Sequence, residues 1–216
     1  MNIPLKNILR FIEFIILFFG IPLFIYFDPN IIHPSIVILP ILVVIFLYLK
    51  RLKNFRFREL IELKIKKQTV LIHSLIILVT SLILVLAVYL FDRNNLFNLP
   101  KSNPLIYIML CVFYPAFSAY GQEIIYRTFL FYRYQAIFKS KLSLILASSI
   151  AFSFMHIVYY SHISIILTFI LGLYLSFTYL KTRSVLLTTI IHGIFGDIIF
   201  TIGLGGYFWL DMHQWM

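Results

Sequence analysis

The chain has 216 residues, of which 62% are hydrophobic and only 12% are charged. Soluble domains have about 45–50% apolar and about 25% charged residues, so this composition excludes soluble Rossmann, TIM-barrel and sandwich folds, and its many aromatic residues exclude a disordered chain. The formal net charge of +10 would suggest nucleic-acid binding in a soluble protein, but in a membrane protein an excess of Lys and Arg reports orientation.

Uninterrupted apolar runs of about 20 residues divide the chain; this length is typical of membrane-spanning helices, whereas barrel strands alternate in polarity over about 10 residues. We therefore predict an all-α fold, a polytopic transmembrane bundle of about seven helices, with a short eighth helix near the carboxyl end as an alternative. The predicted spans are, in chain order, 8–27, 35–49, 69–91, 104–131, 142–160, 163–180 and 184–204. We expect the first to remain as an anchor, because no small-residue cleavage site follows it.

No internal repeat or linker divides the chain, so we predict a single membrane domain with three parts. Residues 1–103 are amino-terminal transmembrane helices with a basic loop, residues 104–204 are a core with the polar intramembrane side chains, and residues 205–216 are a short tail. Cys111 is the only cysteine and lies in an apolar run, which excludes an internal disulfide and a multi-cysteine metal site.

The basic residues predict how the chain crosses the lipid bilayer. With a cytoplasmic amino terminus and seven alternating spans, fifteen of the 18 Lys and Arg residues fall inside and two fall outside. We therefore predict a cytoplasmic amino terminus and an external carboxyl terminus, and the Ile-rich composition favours a bacterial cell membrane. The polar loop 50–67 is interpreted as a solvated connector on anionic lipid rather than a nucleic-acid patch, so no nucleic-acid partner is predicted.

Few ionisable side chains fall inside the spans, where each costs about 2.5–3.5 kcal/mol on insertion scales and so calls for a partner or a task. They are Glu123 and Arg127 in the fourth span, His156 in the fifth, and His192 and Asp197 in the seventh. Others lie near span ends, where an interface tolerates them, and carry no functional prediction: Glu13, His33, His73, His162 and His213.

Glu123 and Arg127 form the first candidate cluster. They are four residues apart, so one helix face brings them together, and they can neutralise each other without any catalytic role. Gln122 and Tyr126 extend this polar region, which we expect to face the interior of the bundle.

His156 and His192 are the second group of candidates. Each, taken alone, fits a packing histidine that bonds a backbone carbonyl among small residues. Together with Glu123 they bring a carboxylate and two imidazoles into a low-dielectric interior, and these are groups that hydrolysis needs to take a proton from water and to stabilise charge. A zinc site of two His and one Glu is an alternative, although the chain has no HExxH motif and no ligand pair at close helical spacing.

Three motifs, in order on three predicted helices, resemble those of the CAAX protease and bacteriocin-processing (CPBP, formerly Abi) family of intramembrane endopeptidases, which includes the CAAX prenyl protease 2 type. The resemblance covers about residues 112–200. The matching residues are Gln122, Glu123 and Arg127 for EExxxR, Phe152 and His156 for FxxxH, and His192 for a histidine followed four residues later by Asn or Asp.

The resemblance implies a glutamic-type endopeptidase that needs no cofactor and hydrolyses a peptide bond in a small peptide or a membrane-anchored protein precursor. It implies that Glu123 and His156 activate water and that His192, with its Asn or Asp partner, stabilises the oxyanion. Arg127 is then expected to orient the acidic group.

Two positions depart from the family pattern. Gln122 stands where the first glutamate is expected, and an amide cannot act as a general base, so Glu123 must serve in its place. Gly196 stands where Asn or Asp is expected; Asp197 is the substitute, although it lies about 140° around an ideal helix from His192.

These departures leave a second hypothesis, that the protein is a catalytically inactive relative with a membrane binding, bacteriocin-immunity or regulatory role. A proton-coupled carrier would also use buried Glu and His, but seven spans without a visible inverted repeat do not favour it. The sequence makes no prediction of the oligomeric state.

Overall fold

A computed structural model describes residues 4–27, 34–63 and 65–209. Over these residues the chain is helical and has no strand, which confirms the predicted fold class. The helices are α1 (Leu5–Phe27), α2 (Pro34–Lys50), α3 (Arg58–Ile61), α4 (Lys67–Phe91), α5 (Asn98–Ser102), α6 (Pro104–Tyr134), α7 (Lys141–Met155), α8 (His162–Thr182) and α9 (Val185–Thr201). Short 3₁₀ turns follow α4, α7 and α9 at Arg93–Asn95, His156–Tyr159 and Leu204–Phe208.

Seven helices coincide with the seven predicted spans. Five of them, α1, α4, α6, α8 and α7 with its 3₁₀ turn, are long and apolar enough to cross a membrane, while α2 and α9 are apolar helices of 17 residues each. Most of the exposed large side chains are Leu, Ile, Val and Phe, as expected for a surface that faces lipid. His33 and His213 lie outside the described residues, as does the end of the 205–216 tail.

Small residues bring α7 and α8 together. Gly172 of α8 lies so close to α7 that a Cβ there would be 3.1 Å from the Cα of Ser149 and 3.3 Å from the Phe152 ring. The Ser176 hydroxyl donates a hydrogen bond to Ser148 Oγ at 3.0 Å. Close approach and interhelical hydrogen bonds of this kind are what hold helices together in lipid, and here they fix Phe152 in the interior.

The centre of α6 departs from regular α-helix. Two π-helical stretches, Tyr114–Ala119 and Ile124–Phe129, flank a single α-helical turn, Tyr120–Glu123. Each π-helical turn alters the direction in which the following side chains point, and such turns occur often at functional sites. The residues on this part of α6 therefore cannot be assigned to faces from a period of 3.6.

Two glycines of α9 allow the first π-helical stretch to approach closely. A Cβ at Gly193 would lie 2.7 Å from the Cβ of Pro115, and a Cβ at Gly196 would lie 2.7 Å from Cζ of Tyr114. Real side chains do not tolerate such distances, so α6 and α9 depend on these glycines for their contact.

We expect Gly193→Leu to lower the free energy of unfolding by about 1–3 kcal/mol, because the added side chain overpacks the contact with Pro115. The measurement is unfolding by SDS titration in mixed micelles, followed by circular dichroism. Gly20→Leu is the matched control, since Gly20 is an exposed glycine of α1 whose Cβ would meet nothing closer than 3.9 Å. An equal loss in both variants would contradict the importance of the α6–α9 contact.

The polar loop between α2 and α4 is more buried than its composition indicates. Glu59 and Leu60 of α3 are buried in the bundle, while the basic side chains around them are exposed. The Glu59 carboxylate accepts hydrogen bonds from the hydroxyls of Tyr132 at 2.8 Å and Tyr179 at 3.2 Å, and the Tyr120 hydroxyl donates to the Leu60 carbonyl at 3.2 Å. These partners allow a carboxylate to be buried, so the centre of the loop is packed into the bundle rather than solvated.

A second carboxylate, Glu13, connects α1 to the end of α6. Arg133 donates to both of its oxygens, at 2.9 and 2.5 Å, and the Tyr134 hydroxyl donates at 2.9 Å. Such a bidentate pair fixes the geometry of two helices, and it accounts for Glu13 without a chemical task.

Candidate active site

A cavity of about 930 Å³ lies between α4, α6, α8 and α9. Most of its wall is aliphatic and aromatic, and no Asp, Glu, Lys or Arg is among the described residues that line it. Its polar side chains are Thr80, Tyr114, Ser118, Gln122, His156, Tyr159, Thr168, Tyr174 and His192. A largely apolar cavity with a few polar groups is the usual form of a ligand site.

Glu123 and His192 form a buried pair behind the cavity wall. Glu123 is 0% exposed and His192 is 2% exposed, and Oε1 of the carboxylate lies 3.0 Å from Nδ1 of the imidazole. Because a carboxylate accepts, Nδ1 carries the proton, which leaves Nε2 as an acceptor. The Tyr114 hydroxyl lies 3.0 Å from this Nε2 and donates to it.

Arg127 pairs with Glu123 on the same helix, as their spacing predicts. Its Nε lies 3.3 Å from Oε2 of Glu123, and both side chains are 0% exposed. Nη1 donates to Ser148 Oγ at 3.1 Å, and the guanidinium lies over the Phe152 ring, 4.8 Å from its centroid. The buried carboxylate therefore has a neutralising charge that is itself held by α7.

The ring of Phe152 contacts three aromatic side chains of the site. Its ring centroid lies 5.0 Å from that of His156, 5.3 Å from that of His192 and 5.4 Å from that of Tyr126, in edge-to-face arrangements. One fully buried phenylalanine therefore orients both imidazoles and the tyrosine of the predicted site.

His156 lies where α7 changes into a 3₁₀ turn, and it is 9% exposed. Nδ1 donates to the carbonyl of Phe152 at 2.8 Å, so Nε2 is the basic nitrogen. His156 lines the cavity, and its Nε2 makes no hydrogen bond with any residue that the structure describes. This nitrogen is available to take a proton from a molecule in the cavity.

Gln122 and Glu123 face different surroundings although they are neighbours. Gln122 lines the cavity, and its amide donates to Ser118 Oγ at 2.9 Å, while Glu123 does not line it. Within the described part of the chain no hydrogen bond joins Glu123 to His156, and Glu123 reaches the cavity through His192. The structure thus brings Gln122, His156 and His192 to one cavity and places Glu123 one residue behind it.

Asp197 does not reach His192. Helix α9 remains a regular α-helix across its glycines, so Asp197 lies on a different face of the helix from His192. Its carboxylate is within electrostatic range of Cys111. Its Oδ1 is buried and has no hydrogen-bond partner among residues 4–27, 34–63 and 65–209. The expectation that Asp197 partners His192 is therefore corrected: the partners of His192 are Glu123 and Tyr114.

Tyr114 is the residue of this site that the sequence does not single out. It is one of 14 tyrosines and lies in an apolar stretch of α6, without a charged neighbour to mark it. Its place beside His192 depends on the packing of α6 against α9, which the sequence does not display.

The zinc alternative requires Glu123, His156 and His192 to converge on one point. In the described ranges no group of three or more His, Cys, Asp or Glu side chains is placed to hold a metal ion. The side chains therefore do not fit the zinc site considered from the sequence, and independence from cofactors remains a prediction.

Residues 100–196 match the Rce1-like family, described as type II CAAX prenyl endopeptidase Rce1-like. The match contains Glu123, His156 and His192 and ends at Gly196. No curated protein and no solved structure is similar enough to the chain to match it. The resemblance to the CPBP and CAAX protease family is thus confirmed, and with the long apolar helices it indicates an integral membrane protein.

Proposed function

We propose that this chain, which carries an Rce1-like domain at residues 100–196, is an intramembrane endopeptidase. The family supports a CAAX-type endopeptidase in general, which implies a peptide substrate in a membrane context. The observation that carries the proposal is the convergence of two imidazoles on one cavity: His156, whose Nε2 has no hydrogen-bond partner among the described residues, and His192, held from behind by Glu123.

In the proposed reaction His156 Nε2 takes a proton from water while the water oxygen bonds to the carbonyl carbon. The carbonyl π electrons move to the oxygen, and the oxyanion forms on the His192 side of the cavity. Glu123 shares in the activation through His192, because its carboxylate holds the imidazole in one tautomer and balances positive charge near it. When the intermediate collapses, the C–N bond breaks and His156 returns the proton to the leaving amine.

The cavity favours an uncharged, apolar segment of substrate. A charged side chain in the bound segment would be buried against a wall that offers it no counter-charge among the described lining residues, and burial of an unpaired charge is strongly unfavourable. We therefore propose that the substrate is a small apolar peptide or the membrane-anchored segment of a precursor protein.

The test is a cleavage assay with the purified protein in lipid nanodiscs and a library of membrane-anchored peptides, with products identified by mass spectrometry. We expect the wild-type protein to cleave, with or without the chelator 1,10-phenanthroline, and the double variant Glu123→Gln, His156→Gln to be inactive. Loss of cleavage on chelation would contradict the metal-free reaction.

A Gln122→Glu variant separates this proposal from the inactive relative considered from the sequence. Gln122 lines the cavity, so the change places a carboxylate at the position where the family pattern has one. Gln135→Glu is the control, because it makes the same change at an exposed position. Cleavage by Gln122→Glu alone, with none by the wild type, would overturn the proposed enzyme and favour a binding, immunity or regulatory protein.

A further inference from the structure

The oxyanion side of the site needs a hydrogen-bond donor that faces the cavity, and His192 does not supply one while Glu123 holds its proton on Nδ1. Nδ1 donates to Glu123, and Nε2 accepts from the Tyr114 hydroxyl at 3.0 Å. The proton at this point of the cavity wall is therefore carried by Tyr114.

The position of the Tyr114 hydroxyl is set by packing. Gly196 has no side chain, and the hydroxyl lies 2.9 Å from the point where a Cβ of residue 196 would be. The ring meets Phe200 edge-to-face at 5.5 Å between centroids, and the next residue, Pro115, packs against Gly193. The ring thus stays in place when the hydroxyl changes its hydrogen-bond partner.

The other donors near the two histidines are less suitable. The Gln122 amide donates one of its N–H groups to Ser118 Oγ at 2.9 Å, and no hydrogen bond joins it to Glu123, His156 or His192 among the described residues. Tyr159 also lines the cavity, but no hydrogen bond connects its hydroxyl to Glu123, His156 or His192 in the part of the chain that the structure describes. Tyr114 is the tyrosine in direct contact with the buried pair.

We propose that Tyr114 is a further catalytic residue, whose hydroxyl donates a hydrogen bond to the oxyanion. No covalent bond of Tyr114 changes: the O–H group turns from Nε2 of His192 to the carbonyl oxygen as negative charge forms there. The exchange is favourable, since a hydrogen bond to a charged acceptor is about twice as strong as one between neutral groups. The inference rests on the proposed endopeptidase function.

The experiment compares Tyr114→Phe with the wild-type protein in the nanodisc cleavage assay. The variant keeps the ring that fills the space at Gly196 and removes the hydroxyl alone, so SDS titration is expected to show only the small shift that loss of one hydrogen bond produces. We expect kcat to fall about 10²–10³-fold, as on removal of one oxyanion donor, with KM unchanged. Tyr107→Phe, which removes a hydroxyl of the same helix that is bonded to Thr201 at 2.9 Å and does not line the cavity, is expected to retain wild-type kcat.

The outcomes separate this inference from the proposed function. Equal kcat for Tyr114→Phe and Tyr107→Phe, or a loss confined to KM, would overturn the role of Tyr114 while the endopeptidase stands. A wild-type protein that cleaves no peptide would overturn both.

Discussion

Glu123→Gln is expected to reduce the rate of cleavage about 10²–10³-fold, because the site loses the carboxylate that balances positive charge and fixes the tautomer of His192. Glu123 accepts the Nδ1 proton of His192 at 3.0 Å. An amide that donates to Nδ1 would move the imidazole proton to Nε2, which could then no longer accept the hydrogen bond that positions the Tyr114 hydroxyl. The measurement is the single-turnover rate in the nanodisc assay. Wild-type cleavage by Glu123→Gln would show that Glu123 is only the structural partner of Arg127.

The same substitution is expected to destabilise the protein by about 3–5 kcal/mol, because it leaves the guanidinium of Arg127 buried without its counter-charge. A second variant separates this effect from catalysis. In Glu123→Gln, Arg127→Gln both charges are removed, so unfolding by SDS titration should return most of the way to that of the wild type while cleavage stays lost. Recovery of cleavage together with stability would contradict a chemical role for the carboxylate.

Glu59→Gln is the matched control for Glu123→Gln. Glu59 is also buried, but its carboxylate is bonded to the hydroxyls of Tyr132 and Tyr179 and does not line the cavity. We expect the Glu59→Gln variant to cleave at the wild-type rate. A loss as large as that of Glu123→Gln would indicate that any buried glutamate of the bundle is needed for folding.

His156→Gln is expected to reduce the rate about 10²–10⁴-fold, the usual contribution of a general base. Glutamine has a similar length, and its amide can still donate to the Phe152 carbonyl, but it has no basic nitrogen for the proton of water. The substrate affinity should change little, so the loss is expected in kcat, measured under saturating peptide.

His73→Gln serves as the control for His156→Gln. His73 of α4 is hydrogen-bonded to the hydroxyl of Tyr174, a residue of the cavity wall, so the change is made close to the cavity but away from Phe152 and His192. We expect it to retain activity. Equal activity in the two variants, at any level, would argue against His156 as the base.

The bundle itself could be predicted because the thickness of the bilayer sets the length of a span. In lipid, a run of about 20 apolar residues must form a helix to satisfy its backbone hydrogen bonds, and each of the seven predicted spans is an apolar helix in the described part of the chain. The Glu123–Arg127 pair could be predicted for a similar reason, because residues four apart on a helix meet whatever surrounds them.

The surroundings of the site could not be predicted in this way. Gln122 lines the cavity, whereas the next residue, Glu123, lies behind its wall. The period of a regular α-helix would predict which side chains face the cavity, but the π-helical turns of α6 interrupt this period. The burial of Glu59 depends on hydrogen bonds from Tyr132 and Tyr179, which lie 73 and 120 residues further along the chain. Contacts at this separation depend on which helices pack together.

Hydropathy and the cost of charge in lipid act on each segment separately, so the helical membrane bundle and the ionisable side chains in its interior can be predicted from the sequence. The partner of each group depends on tertiary packing, which pairs Glu123 with His192, leaves Nε2 of His156 without a hydrogen bond among the described residues, and puts Tyr114 in the space beside Gly196. Those choices depend on how close two helices come and on which face each presents, and both are set by packing between distant parts of the chain.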